Sequence, residues 1–243
     1  MKNTSIKAVI FDADGPLYYR TPEVLDQQLA LLNHYGYPDK LEHHQLAHVN
    51  KYGHLGNLGK FNTAYEAEKF KTYAREQSEL TMARHILHTL GLKLPNSQLS
   101  HFVAQLNRIL SHITARPDAL PALQALKTAG YQTCVLTDSF HPSAQKWRWF
   151  KAIGLAPYLD YIISSYDIRR LKNTPKAYQA CLKELGSTAD QTVFVGHQSY
   201  EMTGARQAGI RCIALTPIAP ADIKADYGIN SLTELPHLLK QLS

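Results

Sequence analysis

Short apolar runs punctuate this chain, and each is followed by a stretch with helical spacing. Residues 6–11 (IKAVIF) form an apolar run that stops at Asp12, the pattern of a strand buried on both faces. Residues 118–129 carry leucines at helical spacing, and Gly130 supplies the stop. YQTCVL follows as a second strand, and a helical stretch around 143–153 leads to YLDYIIS, a third. Residues 175–185 read as a helix, TVFVG as a fourth strand, 200–208 as a helix ending at Gly209, and RCIAL as a fifth strand. The tail LTELPHLLKQL is helical. Strand–helix alternation of this kind predicts an α/β fold, doubly wound, with a mainly parallel Rossmann-like sheet.

The middle of the chain breaks the alternation. Residues 17–114 lack buried strand runs and are rich in Leu, Ala, Glu, Gln and Lys, which are good helix formers. Segments 23–35, 62–90 and 97–112 look amphipathic. The expected organisation is a core of residues 1–16 and 115–243, with 17–114 inserted as an all-helical domain that returns near Arg116-Pro117.

Composition changes this picture little. With 44% hydrophobic and 19% charged residues in 243, the chain is too apolar for disorder and long enough to bury a full core. Three scattered cysteines, with no CxxC spacing, read as buried reduced thiols rather than a disulfide framework. No apolar run is long enough for a signal-peptide core or a membrane span, so a cytoplasmic protein without membrane association is expected. The net charge of +6 is diffuse and has no basic stripe, which argues against nucleic acid and permits small anionic ligands.

In open α/β sheets, ligands bind beyond the carboxyl ends of the strands. There this sequence places Asp12 and Asp14 after the first strand and Thr137 and Asp138 after the second. His197 and Glu201 follow the fourth, with Lys172 between the third and fourth. Singly, each has an ordinary reading: a turn, a helix cap, a solvated lysine. Their joint placement on one edge points to a site.

The stretches AVIFDADGPL, CVLTDS, LKNTPKAYQACLKEL and VFVGHQSYEMTGARQAGI, in this order and spacing, resemble the haloacid dehalogenase superfamily across the whole chain. The resemblance implies hydrolysis of a small phosphorylated metabolite by a monomer or homodimer. The helical insertion would be the family's cap, closing over the substrate. Asp12 would be the nucleophile that forms a covalent aspartyl intermediate. Asp14 would protonate the leaving group and then activate water. Thr137 and Asp138 would contact substrate, and Lys172 would hold Asp12 ionised and offset developing charge. Mg²⁺ would be held by Asp12, Asp14 through its carbonyl, and Glu201.

The fourth motif departs from the pattern. The family's metal-dependent phosphatases have Asp where this chain has His197, and a shorter acid where it has Glu201. Mg²⁺ takes oxygen ligands in strict octahedral geometry, and imidazole is a poor substitute. Three explanations compete: weaker Mg²⁺ binding through the remaining oxygens, a softer metal on His197, or no metal-dependent chemistry. The last includes a metal-independent 2-haloacid dehalogenase and a catalytically impaired binding protein. Gln198, Tyr200, Glu201, Gly204-Ala205-Arg206 and Tyr178 fit the dehalogenase spacing. Asp14 favours phosphate esters, because a leaving halide needs no acid whereas a leaving alkoxide does.

Other signals are weaker. His44 and His48 share a helical face beside His43, but the zinc-protease Glu is replaced by Gln45. The run Gly53, Gly56, Gly59 follows no strand, so it is no dinucleotide fingerprint and reads as a loop in which Lys51 or Lys60 reaches substrate. Trp147 and Trp149 read as packing residues or a dimer contact.

Overall fold

A computed structural model describes residues 5–37 and 60–242 of the chain, the side chains at 60–63 and 66 aside. The histidine cluster at 43–48, the glycine run at 53–59, Lys51 and the Lys60 side chain lie outside the described residues. The chain divides into two compact units, Met1–Tyr18 with Ala115–Ser243, and Tyr19–Thr114. Two-residue strands β2 (Tyr18–Tyr19) and β3 (Thr114–Ala115) pair where the chain passes between them.

The first unit is built on a six-stranded sheet whose strands all pair in parallel. In chain order the sheet strands are β1 (Ala8–Phe11), β4 (Gln132–Thr137), β5 (Tyr161–Ser164), β6 (Thr192–Gly196), β7 (Arg211–Leu215) and β8 (Tyr227–Ile229). They lie side by side as β5-β4-β1-β6-β7-β8. β1 therefore stands at the centre, with Phe11 opposite Val135 on one side and Val195 on the other. All four β1 side chains are buried, which is why the run is apolar without alternation.

Helices cover both faces. Ala8, Ile10, Cys134, Leu136, Phe194, Cys212 and Ala214 point to one face. They form one core with Ala177, Tyr178, Cys181 and Leu185 of α8 (Pro175–Leu185), and Met202 and Ala205 of α9 (Ser199–Gln207). The alternate positions Val9, Phe11, Val135, Val193, Val195 and Ile213 are equally buried on the opposite face. On that side α5 (Ala119–Thr128) packs against α10 (Leu235–Gln241) and buries Leu123 and Leu126, while α10 buries Leu235 and Leu239. Asp118, just before α5, ties the tail down. Its Oδ2 accepts from Arg116 Nη2 at 3.1 Å, Ser231 Oγ at 3.1 Å and the Leu232 N–H at 3.0 Å. α6 (Ser143–Ala152) buries Trp149 and Phe150, and α7 (Ser165–Ile168) is a single turn after β5. Trp149 is thus a packing residue, with the His141 ring at 5.0 Å. The three cysteines are buried and unbridged.

The second unit is helical. It comprises α1 (Pro22–His34), α2 (Lys60–Tyr73), α3 (Glu79–Thr89) and α4 (Asn96–Leu110), with α4 packing against α1 and α3, and α2 against α3. The segment read as amphipathic over 62–90 holds two helices. Arg75 adopts a left-handed conformation (φ 59°), and the Ser78 hydroxyl caps α3 by accepting from the Thr81 N–H at 3.1 Å. No helix among the described residues is long and apolar enough to cross a membrane.

Candidate active site

The chain winds outward from β1 to β4 and β5, then returns to the other side through β6 and β7. Beside β1 the direction of winding reverses, which is the place where open parallel sheets bind their ligands. Asp12 enters it directly from β1. Its backbone N–H still donates to the Val195 carbonyl at 2.9 Å, so the ladder fixes the start of the loop. Gly15, at φ +98°, turns the chain, and the Gly15 N–H closes the turn on the Tyr18 carbonyl at 2.8 Å.

Four buried groups meet here. Lys172 Nζ donates to Asp12 Oδ1 and to Glu201 Oε1, each at 2.5 Å. His197 Nδ1 lies 3.2 Å from Asp12 Oδ2 and 4.0 Å from Glu201 Oε2. All four residues are buried, so their charges act through a poorly screened medium. Burial alone would raise the Asp12 pKa. The Lys172 charge and the His197 hydrogen bond and charge outweigh it and pull Asp12 from 3.8 down to about 2. Lys172 is held far above its ordinary value: burial opposes its charge, but Asp12, Glu201 and Asp138 overcome that. For His197, burial lowers the pKa, while the hydrogen bond to Asp12 and the charge of Glu201 leave it raised overall. Asp12 is therefore an ionised carboxylate, fit to attack.

Local sequence explains why these groups converge. Glu201 is the third residue of α9 and closes a capping box with Gln198. Its Oε2 accepts from the backbone N–H groups of His197 (3.3 Å) and Gln198 (3.2 Å), leaving Oε1 for Lys172. The Tyr178 hydroxyl donates to the Glu201 carbonyl at 2.8 Å and fixes α9 to α8. Gly204 permits close approach of α9 to the lysine loop: a Cβ there would lie 1.9 Å from the Lys172 carbonyl oxygen. Asp138 works from the other side. Its carboxylate accepts from the Lys172 backbone N–H at 3.2 Å, and burial, with the charges of Glu201 and Asp12 adding to it, lifts its pKa to about 6.

Of the residues expected at the site, Asp12, Lys172, His197 and Glu201 form one bonded cluster. Asp138 joins it through the Lys172 backbone. Thr137 closes β4, buried, with its hydroxyl 3.5 Å from the Asp138 carbonyl oxygen. Asp14 stands half-buried on the turn two residues past Asp12, bridged to Tyr18. His197 points inward: a Cβ on Gly15 would lie 3.1 Å from its Cε1 and 3.2 Å from its Nε2. Sequence reasoning did not find the anchoring of Lys172 by Asp138 or the demand for glycine at 204. The signal for the second was a glycine inside a helix, whose reason lies in a distant loop.

Asp12, His197 and Glu201 offer ligand atoms all within 4.8 Å of one another, a group of the kind that could hold a metal ion. The donors present do not suit Mg²⁺. One is an imidazole, and the Lys172 ammonium already bridges the two carboxylates. The second Glu201 oxygen is taken by two backbone N–H groups.

At the switch point of the parallel sheet, an ionised carboxylate on the central strand is thus held by a buried lysine. A family profile of haloacid dehalogenase-like hydrolases matches residues 6–209, and the chain belongs to that family. It is 29% identical over 144 residues to (S)-2-haloacid dehalogenase 1 of Pseudomonas sp. (strain CBS-3), covering 56% of this chain and 63% of that protein, less than two thirds of its length. It is 24% identical over 180 residues to glyceraldehyde 3-phosphate phosphatase of Methanocaldococcus jannaschii, covering 72% of this chain and 76% of that one. The fold superposes on L-2-haloacid dehalogenase from Xanthobacter autotrophicus with a TM-score of 0.66 at 19% identity, over 98% of this chain and all of that one.

Proposed function

We propose that this hydrolase cleaves a small phosphomonoester through an aspartyl-phosphate formed on Asp12. The observation that carries the reading is the pairing of a buried, ionised Asp12 with a second carboxyl, Asp14, on the turn two residues further on. An Asp12 oxygen attacks phosphorus, the bond to the ester oxygen breaks, and Asp14 gives that oxygen its proton. The Asp14 carboxylate so formed takes a proton from water as the water attacks phosphorus. The Asp12 carboxylate and inorganic phosphate are released. Lys172, fixed from three sides, keeps Asp12 ionised and offsets charge on the phosphoryl oxygens. The helical unit is read as the family's cap, which selects the substrate.

The test is turnover of a series of phosphate monoesters by the wild type, Asp12→Asn and Asp14→Asn. Asp12→Asn should abolish turnover. Asp14→Asn should cost alkyl phosphates far more than p-nitrophenyl phosphate, whose leaving group needs no proton. Equal losses across the series would remove Asp14 from the acid role.

A second reading is displacement of halide from a 2-haloacid, with the ester formed at carbon instead of phosphorus. The observation favouring it is that the Mg²⁺ donor set is unsuitable while the lysine-bridged carboxylates remain. Chloride release from 2-chloropropionate, with no phosphate release from any monoester, would establish it.

A further inference from the structure

We infer that His197 fills the place of a divalent cation beside the nucleophile, so that this hydrolase turns over without one. The inference rests on the phosphate reading above and assigns His197 as a catalytic residue of that same site.

The carboxylate oxygens supply the argument. Asp12 Oδ1 accepts from Lys172 Nζ at 2.5 Å, and Asp12 Oδ2 faces His197 Nδ1 at 3.2 Å. Glu201 Oε1 accepts from the same ammonium, and Glu201 Oε2 from two backbone N–H groups. Every oxygen the two carboxylates could offer a metal already faces nitrogen. The ring is also fixed in place. One side packs against Gly15, where even a Cβ would come within 3.1 Å. Its far nitrogen, Nε2, lies 3.3 Å from the Gln198 amide nitrogen. A partner on each ring nitrogen sets both the orientation and the tautomer of an imidazole. Gln198 is itself held as the N-cap of α9, so the support is rigid.

A cation in such a site orients the attacking carboxylate and offsets charge on the phosphoryl oxygens. A preorganised N–H donor in a water-poor site orients the carboxylate at no cost in reorganisation, and the Lys172 ammonium offsets the phosphoryl charge. His197 gains or loses no bond in this role. The atoms and protons balance as in the two-step hydrolysis through Asp12 and Asp14.

Two measurements test this. The first titrates Mn²⁺ into chelator-treated resting protein and follows the free-ion electron paramagnetic resonance signal, which needs no substrate. Wild type should leave the signal unchanged, and His197→Asp, with three carboxylates in place of two, should bind the ion. The second is turnover of p-nitrophenyl phosphate with EDTA or Mg²⁺. Wild type should agree within about twofold between the two conditions. His197→Asp should fall about a hundredfold in EDTA and recover with Mg²⁺. Should His197→Asp not fold, His197→Asn serves, with an expected loss of about a hundredfold. Mn²⁺ binding by the wild type, loss of its turnover in EDTA, or indifference of the variant to metal would each overturn the inference. If no phosphate ester is turned over but 2-chloropropionate is, the phosphate reading alone fails. Chloride release in EDTA and the Mn²⁺ titration then decide the role of His197.

Discussion

Replacing Lys172 by Met tests the electrostatic account of the site most directly. Met keeps the volume of the lysine stem, so packing against α9 is preserved and the change is chiefly loss of charge. Asp12 and Glu201 then remain buried without the ammonium that bridges them at 2.5 Å on each side. In the native protein the fall of the Asp12 pKa from 3.8 to about 2 corresponds to about 2 kcal/mol. Its sign follows from linkage: the contribution is present above about 3.8 and is lost as pH falls through about 2. Stranding the partners of a buried pair typically costs about 3–5 kcal/mol, which is the loss expected for Lys172→Met at pH 8. In the variant, burial weighs more heavily on Asp12 and its pKa rises. The cost therefore shrinks as pH falls from 8 to 5, opposite in sense to the native contribution. Adding Glu201→Gln should recover part of the loss, since glutamine still accepts at the α9 cap while removing one charge. Urea unfolding followed by tryptophan fluorescence at pH 8 and pH 5 measures all of this. A Lys172→Met protein within about 1 kcal/mol of wild type at pH 8, or one that loses more at pH 5, would refute the reasoning.

Gly204→Ala should destabilise by about 3 kcal/mol, because its Cβ meets a backbone carbonyl at 1.9 Å and no flexible side chain can yield. Denaturation will show this, and turnover should fall with it because Lys172 must move. Asp138→Asn should stabilise by about 1–2 kcal/mol at pH 8 and much less at pH 4. The Asp138 pKa is raised from 3.8 to about 6, so the native carboxyl costs stability increasingly as pH rises from about 3.8 and in full above about 6, as paired melting curves will reveal. Asp118→Ala should cost about 2–3 kcal/mol at pH 7 by removing the acceptor for Arg116, Ser231 and Leu232. That loss should vanish at low pH, since the native Asp118 pKa is lowered and its contribution disappears as the carboxyl protonates. A pH-independent loss would show that the charge is not the cause.

The strands and helices of the sheet unit were legible because burial on both faces writes itself as unbroken apolar runs. IKAVIF, TVFVG and RCIAL each became a strand of the parallel sheet. Strand β8 was not legible: it has three residues with a glycine in the middle and lies at the sheet edge. The break between α2 and α3 was hidden because polar residues 75–78 do not interrupt the spacing of apolar ones strongly enough. At the site, residue types were readable but orientations were not. Nothing in the sequence says that His197 turns toward Asp12, because that depends on the room Gly15 leaves. The capping box was present as Gln198 and Glu201, three apart. Its consequence, one Glu201 oxygen left over for a lysine 29 residues away, is a property of three-dimensional packing.

The central position of β1 has a consequence for how the chain is made. β1 pairs with β4 and β6, whose last residues are Thr137 and Gly196. During synthesis the four apolar residues Ala8–Phe11 leave the ribosome before both neighbours and wait for them. At roughly 5–20 residues per second, the interval before β6 is complete is roughly 10–40 seconds. Of the sheet strands, β1 thus waits longest between its synthesis and its enclosure on both sides, and a chaperone that holds it during those seconds should raise the yield of folded protein.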